Sequence, residues 1–203
     1  MVKRIAMPGV EQKIITIVAP EVFKRLYDAC DERYEGYIQR NRAILCLLID
    51  TGIRVSELCT LTLDCVFFSE DDNFVRVYGK GRKQREVGFG QRTRKALRNY
   101  ILRYRHASKS EVHVFVSHLD GPLTQSGIDQ MLRQLASKAG ITMNIHAHLF
   151  RHTFAVNYLK AGGDVYKLSR LLGHASVVIT EKYLRAFQQR DARQGNISVL
   201  DSL

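Results

Sequence analysis

The sequence predicts an α+β fold, mainly α-helical, with a small three-stranded antiparallel sheet. Three observations carry that prediction. Apolar residues recur at helical spacing through most of the 203 residues, a single block at 73–89 alternates with period two instead, and Gly or Pro punctuates the periodic stretches.

The first helix begins near Pro20, whose missing N–H costs nothing in the first turn, and Val22, Phe23, Leu26, Ala29 and Cys30 then share one face. The Ile- and Val-rich segment before it, 1–19, reads as an extended entry or interdomain linker. Arg42 to Thr51 is apolar on most sides and is followed by Gly52, a residue suited to a left-handed helix stop, so it is expected to be a central core helix. Arg54 then emerges at a turn, with Ser56 placed to cap a short helix carrying Glu57 and Leu58.

Phe74-Val-Arg-Val-Tyr78 alternates, Gly79-Lys-Gly81 turns, and Arg85-Glu-Val-Gly-Phe89 returns, which predicts a hairpin with Lys80 at its tip. Val112 to Ser117 is the expected third strand. Leu97, Tyr100, Ile101 and Tyr104 mark a further helix, and Ile128, Met131, Leu132, Leu135, Ala136 and Ala139 another that stops at Gly140. Helical patterns return at His148–Ala161, Asp164–Leu172 and about Val177–Gln188, separated by Gly162-Gly163 and Gly173.

Composition bounds the partner. With 31 Lys+Arg against 20 Asp+Glu the net charge is +11, which favours a polyanion because each neutralised phosphate releases condensed counterions. No run of about 18 apolar residues is present, and Met1-Val-Lys-Arg-Ile5 lacks the apolar region of a signal peptide, so the expectation is a cytoplasmic, nucleoid-associated protein away from membranes. Cys30, Cys46, Cys59 and Cys65 are 16, 13 and 6 positions apart, a spacing that fits no zinc ribbon and reads as reduced thiols filling helix faces. His148 and His152 have the i, i+4 spacing of zinc peptidases, but Leu149 stands where those enzymes carry Glu; no metal is expected.

Phosphoryl chemistry needs a nucleophile, a proton acceptor, a proton donor and fixed positive charge around the non-bridging oxygens. Arg54, Lys80, His148, Arg151, His174 and Tyr183 supply those residue types. Arginine suits the oxygens because its planar fork donates two parallel hydrogen bonds and stays charged, and His148 and Arg151, at i and i+3, project to one side of a helix start. Taken singly, each has an ordinary explanation: a capping histidine, a solvated hairpin lysine, a core tyrosine.

Together they resemble a known pattern. Thr51-Gly-Ile-Arg-Val-Ser-Glu-Leu58, Gly79-Lys-Gly81, His148-Leu-Phe-Arg-His152, Leu171-Leu-Gly-His174 and Tyr183 occur in the order seen in the catalytic domain of the tyrosine recombinases, the phage integrase family. The resemblance implies that family's catalytic-domain fold and site-specific DNA cleavage and rejoining through a 3′-phosphotyrosine intermediate, with neither ATP nor metal. It makes Tyr183 the nucleophile, Arg54 and Arg151 the phosphate clamp, Lys80 the donor to the leaving 5′-oxygen, His148 an aid to proton transfer at the tyrosine, and His174 a donor to a phosphate oxygen. Glu57 matches an acidic residue that orients the site, and Arg82, Lys83 and Arg85 are expected DNA-backbone contacts.

The same resemblance implies double-stranded DNA as partner, with a tetramer on synapsed DNA and a monomer when free. It places the catalytic domain at 20–190, assigns 191–203 to a tail packing on a neighbouring protomer, and leaves the family's core-binding domain absent from this chain. A type IB topoisomerase-like relaxase and a non-catalytic DNA-binding module are the alternatives. His148 favours the recombinase, since the topoisomerase relatives commonly have lysine there, and all six catalytic positions hold competent residues.

Overall fold

The computed structural model describes residues 16–183 apart from Asp71, Lys80, Arg82 and Lys109. The tail expected at 191–203 and the roles expected of Lys80 and Arg82 therefore lie outside the described residues.

Helix α1, Pro20–Asp28, has Pro20 in its first turn and turns a fully buried Leu26 inward. Its outer side is tied to a distant part of the chain by Arg25, whose Nη2 donates to the carbonyls of Ala139 and Gly140. Helix α2, Glu35–Thr51, starts a full turn or more before the sequence expectation. Its C-terminal half is buried all round, from Ala43 through Leu48, as expected of the central helix. Gly52 ends it at φ 61°, and a Cβ there would stand 2.5 Å from the Phe154 ring, so α2 and the later helix carrying Phe154 approach at a point only glycine allows.

Helix α3, Val55–Cys59, is capped differently from the expectation. Arg54, not Ser56, is the N-cap residue, and its backbone N–H is satisfied by Glu57 Oε2 at 2.7 Å. This is the carboxylate half of a capping box, in which the side chain three residues in reaches back to an unpaired donor. Ser56 lies inside the helix.

The sheet has three antiparallel strands as predicted, in the order β1-β2-β3, but its third member differs. The strands are β1 Val66–Phe68, β2 Asn73–Tyr78 and β3 Gln84–Gly88, and β1 takes the place expected for 112–117. Segment 112–117 forms only isolated bridges, because its hydrogen bonds are divided between two partners. Val114 N donates to Leu61 O and Leu63 N to Val112 O on one side, while Leu123 N donates to Phe115 O on the other. Strand β2 buries Asn73, Val75 and Val77 and turns Phe74 and Arg76 outward, where Phe67 stacks on Phe74 and Arg76 pairs with Glu86 at 2.9 Å.

Helix α4, Gln91–Asn99, continues into a π-helical turn, Tyr100–Tyr104. Asp50, in the last turn of α2, accepts from Gly90 N and Thr93 Oγ1 and so satisfies the start of α4 from a neighbouring helix. Helix α5, Gln125–Lys138, is capped by Thr124 and buries Ile128, Met131, Leu132, Leu135 and Ala136, the stripe read from the sequence. Then follow α6, Ala147–Lys160, α7, Val165–Leu172, and a helical run over 177–183, here α8.

Among the described residues, two apolar clusters organise these elements. The large one joins α1 to α5, the sheet and the first turn of α6; the small one holds Ala155, Leu159, Leu168, Leu172 and Tyr183 between α6, α7 and α8. Helix α6 belongs to both, so the residues of its first two turns lie at the seam.

Candidate active site

Arg54 reaches the seam because Gly52 stops α2 abruptly and the chain turns at once into α3. Its Nη1 donates to Glu57 Oε1 at 2.9 Å and its Nη2 to Gly173 O at 2.7 Å. Arg151, 3% exposed, comes from α6 and donates to Gly52 O at 2.8 Å and Leu172 O at 2.6 Å. The two guanidiniums thus bind the ends of α2 and α7 together. Burial, with Arg54 alongside, pushes Arg151 down to about 10, which still leaves it protonated at neutral pH.

Glu57, 3% exposed, is the anion beneath these cations. Arg85 of β3 grips it through both Nη atoms at 2.7 Å, and Arg54 adds its backbone N–H and Nη1. Burial pushes this carboxyl up, but the hydrogen bonds from Arg85 and from the Arg54 backbone outweigh it and hold it below the usual carboxylate range.

Arg54, His148, Arg151 and His174, with Ile53, Val55, Ser56 and Ala147, line one cleft of about 360 Å³. His174 follows the left-handed Gly173, and its Nδ1 lies 2.7 Å from the hydroxyl of the fully buried Thr180. If the hydroxyl donates, the ring is the Nε2–H tautomer and its outer nitrogen is a donor. Burial, with Arg151 and Arg54 next, pushes His174 down to about 4, and burial with the Arg151 charge lowers His148. Both rings are neutral at pH 7, leaving the charge of the cleft to its arginines.

Tyr183 packs in the small cluster, 6% exposed, and is not among the residues lining the cleft. Its hydroxyl meets Nδ1 of His152 at 2.5 Å, and His152 meets His148 edge to face, ring centres 4.3 Å apart. Burial foremost pushes His152 down to about 4 and raises Tyr183, so both are neutral at pH 7, and in the Nε2–H tautomer of His152 the phenol donates to Nδ1.

Of the residues expected from the sequence, the cleft brings together Arg54, His148, Arg151 and His174, with Glu57 behind them and Tyr183 one histidine away. Lys83 is exposed on the hairpin, whereas Arg85 is turned inward, its side chain 13% exposed. His152 and Thr180 had no assigned role in the sequence reading. Their only signal is spacing, one turn after His148 and three residues before Tyr183.

The phage integrase family profile matches residues 17–190. The chain belongs to the phage integrase family. Among curated members it is 37% identical over 185 residues to tyrosine recombinase XerC of Bacillus pumilus, covering 88% of this chain and 60% of that protein. It is 43% identical over 150 residues to XerC of Lacticaseibacillus casei, covering 71% and 50%. The chain thus spans between half and three fifths of the length of these integrase-family relatives. A crystal structure of XerA recombinase superposes with TM-score 0.75 at 31% identity, covering 94% of this chain and 67% of that one. A XerH site-specific recombinase bound to palindromic difH substrate gives TM-score 0.76 at 23% identity, covering 91% and 54%, and shows that the integrase-family fold is shared.

Proposed function

We propose that this chain carries the catalytic part of a site-specific DNA recombinase that cleaves and rejoins strands of double-stranded DNA through a phosphotyrosine at Tyr183. One observation supports the reading above all. Arg54 at the start of α3, His148 and Arg151 of α6, and His174 after α7 converge on a cleft of about 360 Å³, and the phenol is held by His152, one turn after His148 on α6.

The scissile phosphate enters the cleft, where Arg54 and Arg151 neutralise its non-bridging oxygens and His174 donates from Nε2. Tyr183 Oη forms a bond to phosphorus as the bond from phosphorus to the 5′-oxygen breaks. The phenolic proton passes to Nδ1 of His152, and Lys80 gives a proton to the departing 5′-oxygen. His148 sits against His152 and lines the cleft, so it is placed to bind the phosphate. Attack of a 5′-hydroxyl on the phosphotyrosine reverses every step, and the phosphodiester energy is retained. Residues 20–190 make up this catalytic domain in the proposal, with four protomers acting on two synapsed duplexes.

The test is trapping on nicked duplexes made from DNA flanking the protein's own coding region. A cut strand that loses the short fragment beyond the nick cannot be rejoined, so a covalent protein–DNA band accumulates with wild-type protein and not with Tyr183→Phe. Binding without any band, restored by no longer form of the protein, would leave a DNA-binding module.

A further inference from the structure

The end of α7 is satisfied in an unusual way. A helix leaves its last carbonyls without intrahelical donors. Here Gly173 N donates to Arg170 O and His174 N to Ser169 O, the two bonds of a Schellman closure around the left-handed Gly173. The next three carbonyls each take a different arginine: Leu171 O takes Arg85 Nε at 2.6 Å, Leu172 O takes Arg151 Nη2 at 2.6 Å, and Gly173 O takes Arg54 Nη2 at 2.7 Å. Positive charge at this end of a helix also opposes its negative dipole. His174 follows directly, so its backbone is fixed by three guanidiniums.

Arg54 and Arg151 line the cleft, and Arg85 does not. Each of the three nitrogens of Arg85 is nonetheless engaged, Nε on Leu171 O and the two Nη atoms on the two oxygens of Glu57. Glu57 in turn holds the backbone N–H and Nη1 of Arg54. We infer that Arg85 is a positioning residue that sets Arg54 through Glu57 and His174 through the end of α7, and that it is not the DNA-backbone contact its place in a basic hairpin suggested. The inference rests on the function proposed above. Lysine cannot replace it, since an ammonium is a point charge that lacks the planar fork needed to hold both carboxylate oxygens and a carbonyl at once. Space confirms how closely the parts fit: a Cβ on Gly173 would stand 2.9 Å from Arg85 Nη1 and 3.3 Å from Arg54 Nη1.

The experiment compares Arg85→Lys with wild type on the same nicked duplex, measuring the single-turnover rate of Tyr183 adduct formation at saturating DNA and, separately, Kd as a function of salt. A positioning role lowers the saturated rate roughly 10- to 100-fold and leaves Kd and its salt slope unchanged. In a Glu57→Gln background the same substitution has a smaller effect, because its route to Arg54 is already cut and only the one to His174 through Leu171 O remains. A weaker Kd with a shallower salt slope, or a full effect that persists beside Glu57→Gln, overturns the inference in favour of a phosphate contact. Should Arg85→Lys fail to fold by thermal melting, the wild-type protein decides. The Arg85 Nε–H resonance stays in place on adding duplex DNA if Leu171 O is its partner throughout, and moves with the DNA-contacting arginines if it is not. Wild-type protein that binds the duplex but forms no adduct, in this or any longer form, sinks the function itself, whereas a normal wild-type rate matched by Arg85→Lys sinks only the positioning role.

Discussion

The hydroxyl of Tyr183 and Nδ1 of His152 are 2.5 Å apart, and this bond crosses from α8 to α6 at the base of the small apolar cluster. The family resemblance points to His148 as the histidine serving the tyrosine, yet it is His152 that touches the phenol, with His148 stacked edge to face behind it. In its Nε2–H tautomer the neutral imidazole accepts the phenolic hydrogen and needs no rearrangement to take the proton as the oxygen attacks.

Replacing His152 by Phe keeps an aromatic ring between His148 and Tyr183 and removes the acceptor. Adduct formation is expected to slow about 100-fold, the lower range for losing a general base, with DNA affinity unchanged, as read from single-turnover trapping beside a binding isotherm.

Acid should destabilise the protein between about pH 6.5 and 4. Burial, aided by nearby cationic groups, moves His152 and His174 from 6.5 down to about 4, so in that window the unfolded chain binds more protons than the folded one. The stabilisation is complete above 6.5 and is lost as pH falls through the folded value near 4. His148 is shifted in the same direction. Thermal melting from pH 7 to 4.5 should show Tm falling steadily, with a shallower fall in the His152→Phe/His174→Gln double variant.

Glu57→Ala removes the acceptor of four hydrogen bonds and leaves Arg85 with an uncompensated charge. Breaking a buried pair costs ~3–5 kcal/mol, and because Arg54 remains partly solvated the lower end, about 3 kcal/mol, is expected in urea denaturation.

Gly173→Ala forces a side chain into a left-handed residue at φ 62° and against Arg85 and Arg54. The backbone conformation alone costs about 1–2 kcal/mol. Displacement of the two guanidiniums adds a fall in adduct rate, so this variant should lose activity out of proportion to its loss of stability.

Much of this was legible in the sequence for identifiable reasons. Pro20, Gly52, Gly140 and Gly173 mark real helix boundaries because each supplies a backbone requirement that is local. The alternation of 74–78 gave the hairpin, since one face of β2 is buried. Strand β1 leaves no sequence signal because three residues carry too little periodicity, and 112–117 reads as a strand from its alternating valines although its hydrogen bonds go to two separate segments. Ser56 looks like a cap locally, but Glu57 reaches back to the backbone N–H of Arg54 and is held there by Arg85 of β3, so α3 begins at Val55. The inward turn of Arg85, the Thr180 contact on His174 and the His152 contact on Tyr183 all join residues 6 to 86 positions apart through packing, which no local pattern records.

The central claim is that Tyr183 becomes covalently joined to DNA in a site built by Arg54, His148, Arg151 and His174. The most direct measurement is peptide mass mapping of the protein trapped on a nicked duplex labelled on either side of the cut. The account predicts a nucleotide on the Tyr183 peptide joined through the 3′ side of the break, with a free 5′-hydroxyl on the released fragment and no adduct from Tyr183→Phe. An adduct on another residue, a 5′ linkage, or an undiminished adduct from Tyr183→Phe would contradict it.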